Sequence, residues 1–157
     1  MTRNKQLDEV DYKIMQILQE NGRMETVHVA SKVCRSPRGT LDRIDRLVGL
    51  GYIERFTAIL NRRLVGRPTL MVTLVKLKGH AAEQLRAFAQ AVSKEPEVQV
   101  VLHLSGEFDF LLQVTLKDSQ EYEDFLDQKL CALPMVDKVH SSLVLKEYKM
   151  EPALPLG

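Results

Sequence analysis

No apolar run in this 157-residue sequence approaches the roughly 18 residues needed to cross a bilayer. The start, MTRNKQLDEVD, has no apolar signal core, so the expected location is the cytoplasm. Cysteine is scarce: Cys34 and Cys131 are far apart, which excludes a disulfide scaffold and favours free thiols. Metal-ligand clusters of the C-x-x-C or H-x-x-x-H kind are missing, and His28, His80, His103 and His140 stand singly, so no metal or other cofactor is expected. A nucleophile elbow, a phosphate loop and a dinucleotide fingerprint are missing too. An enzyme would rest on His103 and Asp109 as an acid–base pair, two residues that need not face each other.

What is present is an ordinary globular composition, 45% apolar and 27% charged, which calls for a folded core. The net charge of +1 hides a polarity: residues 1–67 carry +5 and residues 68–157 carry −4. A basic module joined to an acidic one points to a polyanion partner for the first half, against the alternative of ordinary fluctuation between two domains.

In the first half, Val10, Ile14, Ile17 and Leu18 recur at helical spacing up to Asn21-Gly22. Thr26 is placed to cap a second short helix bearing Val29, Ala30 and Val33. Ser36-Pro37 then starts a third helix running to about Leu50. The serine hydroxyl can accept from a first-turn N–H, and proline at the first position loses no helical bond. Leu41, Ile44, Leu47 and Val48 read as its buried stripe, with Arg38, Asp42, Arg43 and Arg46 toward solvent. Two helices with a tight turn, the second lined with arginine, suit entry into the major groove. Candidate DNA contacts are Arg35, Ser36, Arg38, Thr40, Arg43 and Arg46. A solvated helix face with pairs such as Asp42 to Arg46 is the alternative.

YIERFTAIL (52–60) is rich in β-branched and aromatic residues and reads as a linker strand, with a hinge near Gly66-Arg67-Pro68. Arg55, Arg62, Arg63 and Arg67 extend the basic character toward flanking phosphates. The domain bounds are therefore expected at 1–52 for the helix-turn-helix, 53–67 for the linker and 68–157 for the rest. That remainder alternates strand (69–78), helix (81–94), strand (98–104), strand (108–116), helix from Ser119, and a long strand (136–148). The order β-α-β-β-α-β predicts a ferredoxin-like α+β domain, two helices covering one face of a four-stranded sheet. Met71, Val75, Leu77, Val101, Leu111 and Val144 are assigned to the other face, an apolar patch that predicts self-association.

Four segments in order, L-D-E-V-D-Y-K-I-M-Q-I-L-Q-E-N-G-R (7–23), S-P-R-G-T-L-D-R-I-D-R-L (36–47), G-Y-I-E-R-F-T-A-I-L-N (51–61) and S-G-E-F-D-F-L-L (105–112), resemble the Lrp/AsnC, or feast/famine, transcription regulators. The resemblance covers nearly the whole chain. It implies a winged-type helix-turn-helix that binds double-stranded DNA, dimers that assemble into tetramers or octamers, a small-molecule effector that is usually an amino acid, and no enzymatic activity. The turn Ser105, Gly106, Glu107, Phe108 and Asp109 matches the family's S-G-x-x-D, which in relatives lines the effector cleft. Its backbone N–H groups suit a carboxylate, and Glu107 or Asp109 an ammonium. Ser141 is a further candidate for that cleft.

Without the resemblance, Ser105–Asp109 reads first as a plain hairpin turn whose glycine meets a backbone requirement. Two departures stand out: Cys34 and Arg35 occupy places usually held by glycine and an apolar residue before the third helix, and Met135 replaces a glycine after Leu133-Pro134. The rival to an effector-responsive regulator is an architectural DNA-binding protein without an effector.

Overall fold

A computed structural model describes residues 7–156. Residues 1–6 and 157, which fall inside the expected domain bounds, lie outside the described region. The chain forms two compact units. One contains the described residues through Ile59 together with those from Lys149 on, and the other spans Leu60–Tyr148. The residues from Lys149 on, expected within 68–157, group with the first unit.

The first unit holds α1 (Glu9–Glu20), α2 (Thr26–Lys32) and α3 (Pro37–Gly49). A reciprocal capping box starts α1: Asp11 N–H donates to the Asp8 carboxylate at 2.9 Å, and Asp8 N–H to the Asp11 carboxylate at 3.2 Å. Ser36 caps α3 as the sequence suggests, its Oγ accepting from Gly39 N–H at 3.2 Å with Pro37 at the first position. Thr26 does not cap α2; Glu25 holds that position and makes no side-chain cap. Ile14, Leu18, Val29, Val33, Ile44 and Leu47 form the core.

Helices α2 and α3 end in the same Schellman motif. At α3, Gly51 (φ +80°) lets Tyr52 N–H reach Leu47 C=O at 2.9 Å. At α2, Arg35 N–H reaches Ala30 C=O at 3.0 Å, and the left-handed position belongs to Cys34 (φ +53°). The turn keeps its shape with cysteine where glycine is unstrained, at a conformational cost of ~1 kcal/mol.

The segment expected as a linker strand, 52–60, pairs with no other strand among the described residues. All four strands lie in the second unit: β1 (Thr69–Leu77), β2 (Val98–His103), β3 (Phe110–Leu116) and β4 (Val136–Leu143). They form an antiparallel sheet in the order β2-β3-β1-β4. The covering helices are α4 (Ala82–Val92) and α5 (Ser119–Phe125), the latter capped by Asp118 and running into a π-helical turn, Leu126–Leu130. The last strand stops at Leu143, five residues before its expected end.

Four of the residues expected on the open face of the sheet lie on its helix-covered face instead. Val75, Leu77, Leu112 and Val114 pack on Phe88, Val92, Tyr122 and Phe125, with Met71, Val101 and Val139 against the same core. Met71, Val75, Leu77 and Val101 therefore face the helices. The open face carries Val72, Leu74, Leu102 and Leu111, since Leu74 and Leu102 both sit opposite Leu111 and alternate with the buried residues. Leu111 is the partner whose expected outward position agrees with this register.

Candidate nucleic-acid interface and effector site

Helix α3 presents a different face from the one its arginines suggest. Arg43 Nη1 donates to Asp8 at 2.7 Å and to Asp11 at 2.8 Å, and Arg46 donates to the other Asp11 oxygen. Asp11 is only 1% exposed, so both guanidinium groups are drawn inward onto α1. The hydrogen bond from Arg43 holds the Asp8 carboxyl below its ordinary range, and the bonds to Asp8 and then Asp11 raise Arg43. Arg43 and Arg46, expected toward solvent, instead tie α3 to the start of α1. Thr40, expected as a DNA contact, is wholly buried.

The solvent side of α3 is formed by Arg38, Leu41, Asp42, Asp45 and Val48. Leu41 and Val48, expected in the core stripe, are 38% and 42% exposed. Arg38 pairs with Asp42 one turn on at 3.2 Å, with most of its side chain in solvent. Arg35 lies exposed ahead of the helix, its guanidinium donating to its neighbour's carbonyl, Cys34 O, at 3.0 Å. Ser36 is exposed, but its hydroxyl oxygen is engaged by the cap.

Of the basic residues that follow, Arg55 and Arg63 are exposed. Arg62 is held within the second unit by Glu147 and the Pro68 carbonyl, and Arg67 donates to Glu121 at 2.9 Å. The last two are structural ties rather than phosphate contacts.

The 105–109 turn joins β2 to β3. Ser105, Gly106 and Glu107 are exposed, Gly106 at φ +135°, and no hydrogen bond among the described residues takes up the N–H groups of 105–108. Phe108 packs beside His140, with Lys138 over its ring and 3.9 Å from Glu107. Asp109 is only 6% exposed, and its carboxylate accepts from Leu77 N–H at 2.7 Å and faces His80 Nδ1 at 3.0 Å. Its own N–H donates to Val75 C=O at 2.9 Å. Asp109 pins the turn to the end of β1. Ser141 lies on the helix-facing side, opposite Thr73, where Tyr122 bonds both hydroxyls. Both side chains, expected at the effector cleft, make contacts within the second unit.

An AsnC-type helix-turn-helix domain matches residues 7–48 and an Lrp/AsnC ligand binding domain residues 70–154. The chain belongs to the Lrp/AsnC family. It is 36% identical over 157 residues to the leucine-responsive regulatory protein of Haemophilus influenzae, covering 98% of this chain and 93% of that one. A transcriptional regulator from Neisseria meningitidis, solved as an L-Met complex, superposes with a TM-score of 0.90 at 35% identity, covering 96% of this chain and 97% of that one. An AsnC family regulator from Agrobacterium tumefaciens superposes at 0.89 with 29% identity, covering 96% and 97%. This Lrp/AsnC chain is thus a transcription regulator with a DNA-binding helix-turn-helix and a ferredoxin-like ligand-binding domain.

Sequence reasoning missed the clamp and the exposed face of α3 together. The available signal was a pair of opposite-sign i, i+3 doublets, Asp8/Asp11 and Arg43/Arg46, on two helices that must pack. Asp45 and Leu41, now on the exposed face, were hidden by assigning every leucine of α3 to the core.

Proposed function

We propose that this regulator reads duplex DNA with the outer face of α3 and answers to an amino acid bound at the 105–108 turn. The observation that carries the reading is the Asp11 clamp, which fixes α3 so that Arg38, Leu41, Asp42 and Asp45 face outward. Arg38 suits a guanine edge, Leu41 a thymine methyl and the two carboxylates a cytosine amino group. Arg35, with Arg55 and Arg63 beyond the helix, serves phosphates, and Ser36 contributes through the shape of the helix start.

At the turn, the free N–H groups of Ser105, Gly106, Glu107 and Phe108 suit an amino acid's carboxylate, and Glu107 its ammonium. The names of the Haemophilus relative and of the L-Met-bound Neisseria regulator support an amino-acid effector. The open apolar face of the sheet supports dimers in which two copies cover Leu74, Leu102 and Leu111, with dimers assembling into tetramers or octamers.

The test begins with genomic fragments selected by the wild-type protein. Arg38→Ala weakens binding to them by about 1–3 kcal/mol and relaxes one base position, while Arg35→Ala lowers the salt slope by about one without changing preference. Equal affinity for all variants refutes the assigned face. A thermal shift with each of the twenty amino acids tests the sensing half: none shifting the transition removes it.

A further inference from the structure

We infer that the C-terminal segment 149–156 is a releasable strap, engaged on α1, through which the state of the ligand-binding unit reaches the DNA-reading helix. This rests on the reading of the second unit as an amino-acid sensor. The chain crosses between the units twice, at Ile59/Leu60 and again at Tyr148/Lys149. The second crossing ends in a specific grip: Gln19 Nε2 donates to Leu154 C=O at 2.8 Å, and Leu154 N–H donates to Gln19 Oε1 at 3.0 Å. A side-chain amide thus satisfies both backbone groups of one residue, as a neighbouring strand would. Pro152 and Pro155 flank the gripped residue and hold the segment extended, which lowers the entropy lost on docking.

The grip is built to let go. Leu154 and Leu156 line a cleft of about 200 Å³ with Met15, Leu18, Tyr52 and Phe56, yet Leu154 stays 67% exposed. Two hydrogen bonds and a partly filled apolar cleft can dissociate without unfolding either unit, which gives a two-state element of the kind coupling requires. The route onward runs along α1: Gln19 lies two turns from Asp11, and Asp11 holds Arg43 and Arg46 of α3. Upstream, residues 144–148 join the strap to β4, the strand whose Lys138 and His140 pack on Phe108 of the effector turn.

The test uses the full chain, Gln19→Ala and Gln19→Glu, with L-leucine and L-methionine as probes. Amide exchange at Leu154 and over 52–56 is expected to be slowed in the wild type and to rise about tenfold in Gln19→Ala. Gln19→Glu, which keeps only the acceptor, falls between them. The ratio of duplex affinities with and without the responding amino acid should fall toward one in Gln19→Ala, while affinity for the amino acid itself stays unchanged. Free-peptide exchange at Leu154 in the wild type, or an unaltered ratio in Gln19→Ala, overturns the proposal. If the wild type binds neither probe nor any other amino acid, the sensing function fails, and Leu154 exchange alone still decides whether the strap exists.

Discussion

Replacing Asp11 by alanine should destabilise the DNA-binding unit severely while leaving intrinsic DNA reading almost untouched. The side chain is 1% exposed and takes hydrogen bonds from Arg43, Arg46 and the Asp8 N–H. Breaking a fully buried ion pair from one side costs ~3–5 kcal/mol, because a charge is left without a partner. Here the arginine side chains are 28% and 32% exposed, so water recovers part of the loss. With half of the capping box lost as well, about 3 kcal/mol remains, or about 10–20 °C in Tm for a unit of this size. The assay is thermal and urea unfolding followed by helical signal, with duplex binding measured at about 10 °C, where the variant is folded. Affinity within about threefold of wild type is expected there. A stability loss below about 1 kcal/mol, or a drop in affinity of the folded variant as large as that of Arg38→Ala, would refute the division between clamp and reading face.

Cys34→Gly removes a left-handed strain and should raise stability by about 1 kcal/mol, read as a higher urea midpoint; a lower midpoint would show that the thiol contributes packing. Asp109→Ala strands the buried Leu77 N–H and should cost about 1–3 kcal/mol, with Asp109→Asn recovering part of it through the amide oxygen; equal stability of the two variants removes the pin. Because Asp8 titrates below its ordinary 3.8 in the folded chain, its pairing with Arg43 is fully present above that value and is lost as pH falls through the lowered one; Asp8→Ala should flatten that part of the acid-unfolding curve, and an unchanged curve would contradict the pairing. Leu102→Glu places a charge on the open sheet face and should shift sedimentation from dimer toward monomer at micromolar concentration, whereas an unchanged distribution would move the interface elsewhere.

The β-α-β-β-α-β order, the Ser36-Pro37 helix start and the hairpin at Gly106 were legible because each depends on residues within a few positions of one another. The sheet's polarity was not. In β1 both alternating sets, Met71/Val75/Leu77 and Val72/Leu74, are apolar, so a period of two marks a strand without saying which side meets the helices. The same limit applied to α3. Its inner arginines find their acceptors on α1, 32 and 35 residues earlier, and a guanidinium that looks like a solvated charge in a local window becomes a packing element once Asp11 is opposite it. Asp109 misled for the same reason: a carboxylate in a conspicuous turn invites a ligand role, while its partners, Leu77 N–H and His80, come from another strand and the loop beyond it. The return of 149–156 to the first unit had no local signal beyond two prolines.

Separating the cations that hold α3 from the side chains that α3 displays has an evolutionary consequence. Residues 38, 41, 42 and 45, the proposed reading face, sit where almost any helix-compatible substitution is tolerated by the core, so on that proposal operator preference can drift in single steps without passing through an unfolded ancestor. Arg43 and Arg46 have no such freedom. Paralogues of this architecture should therefore diverge in what they recognise far sooner than in how the recognition helix is mounted.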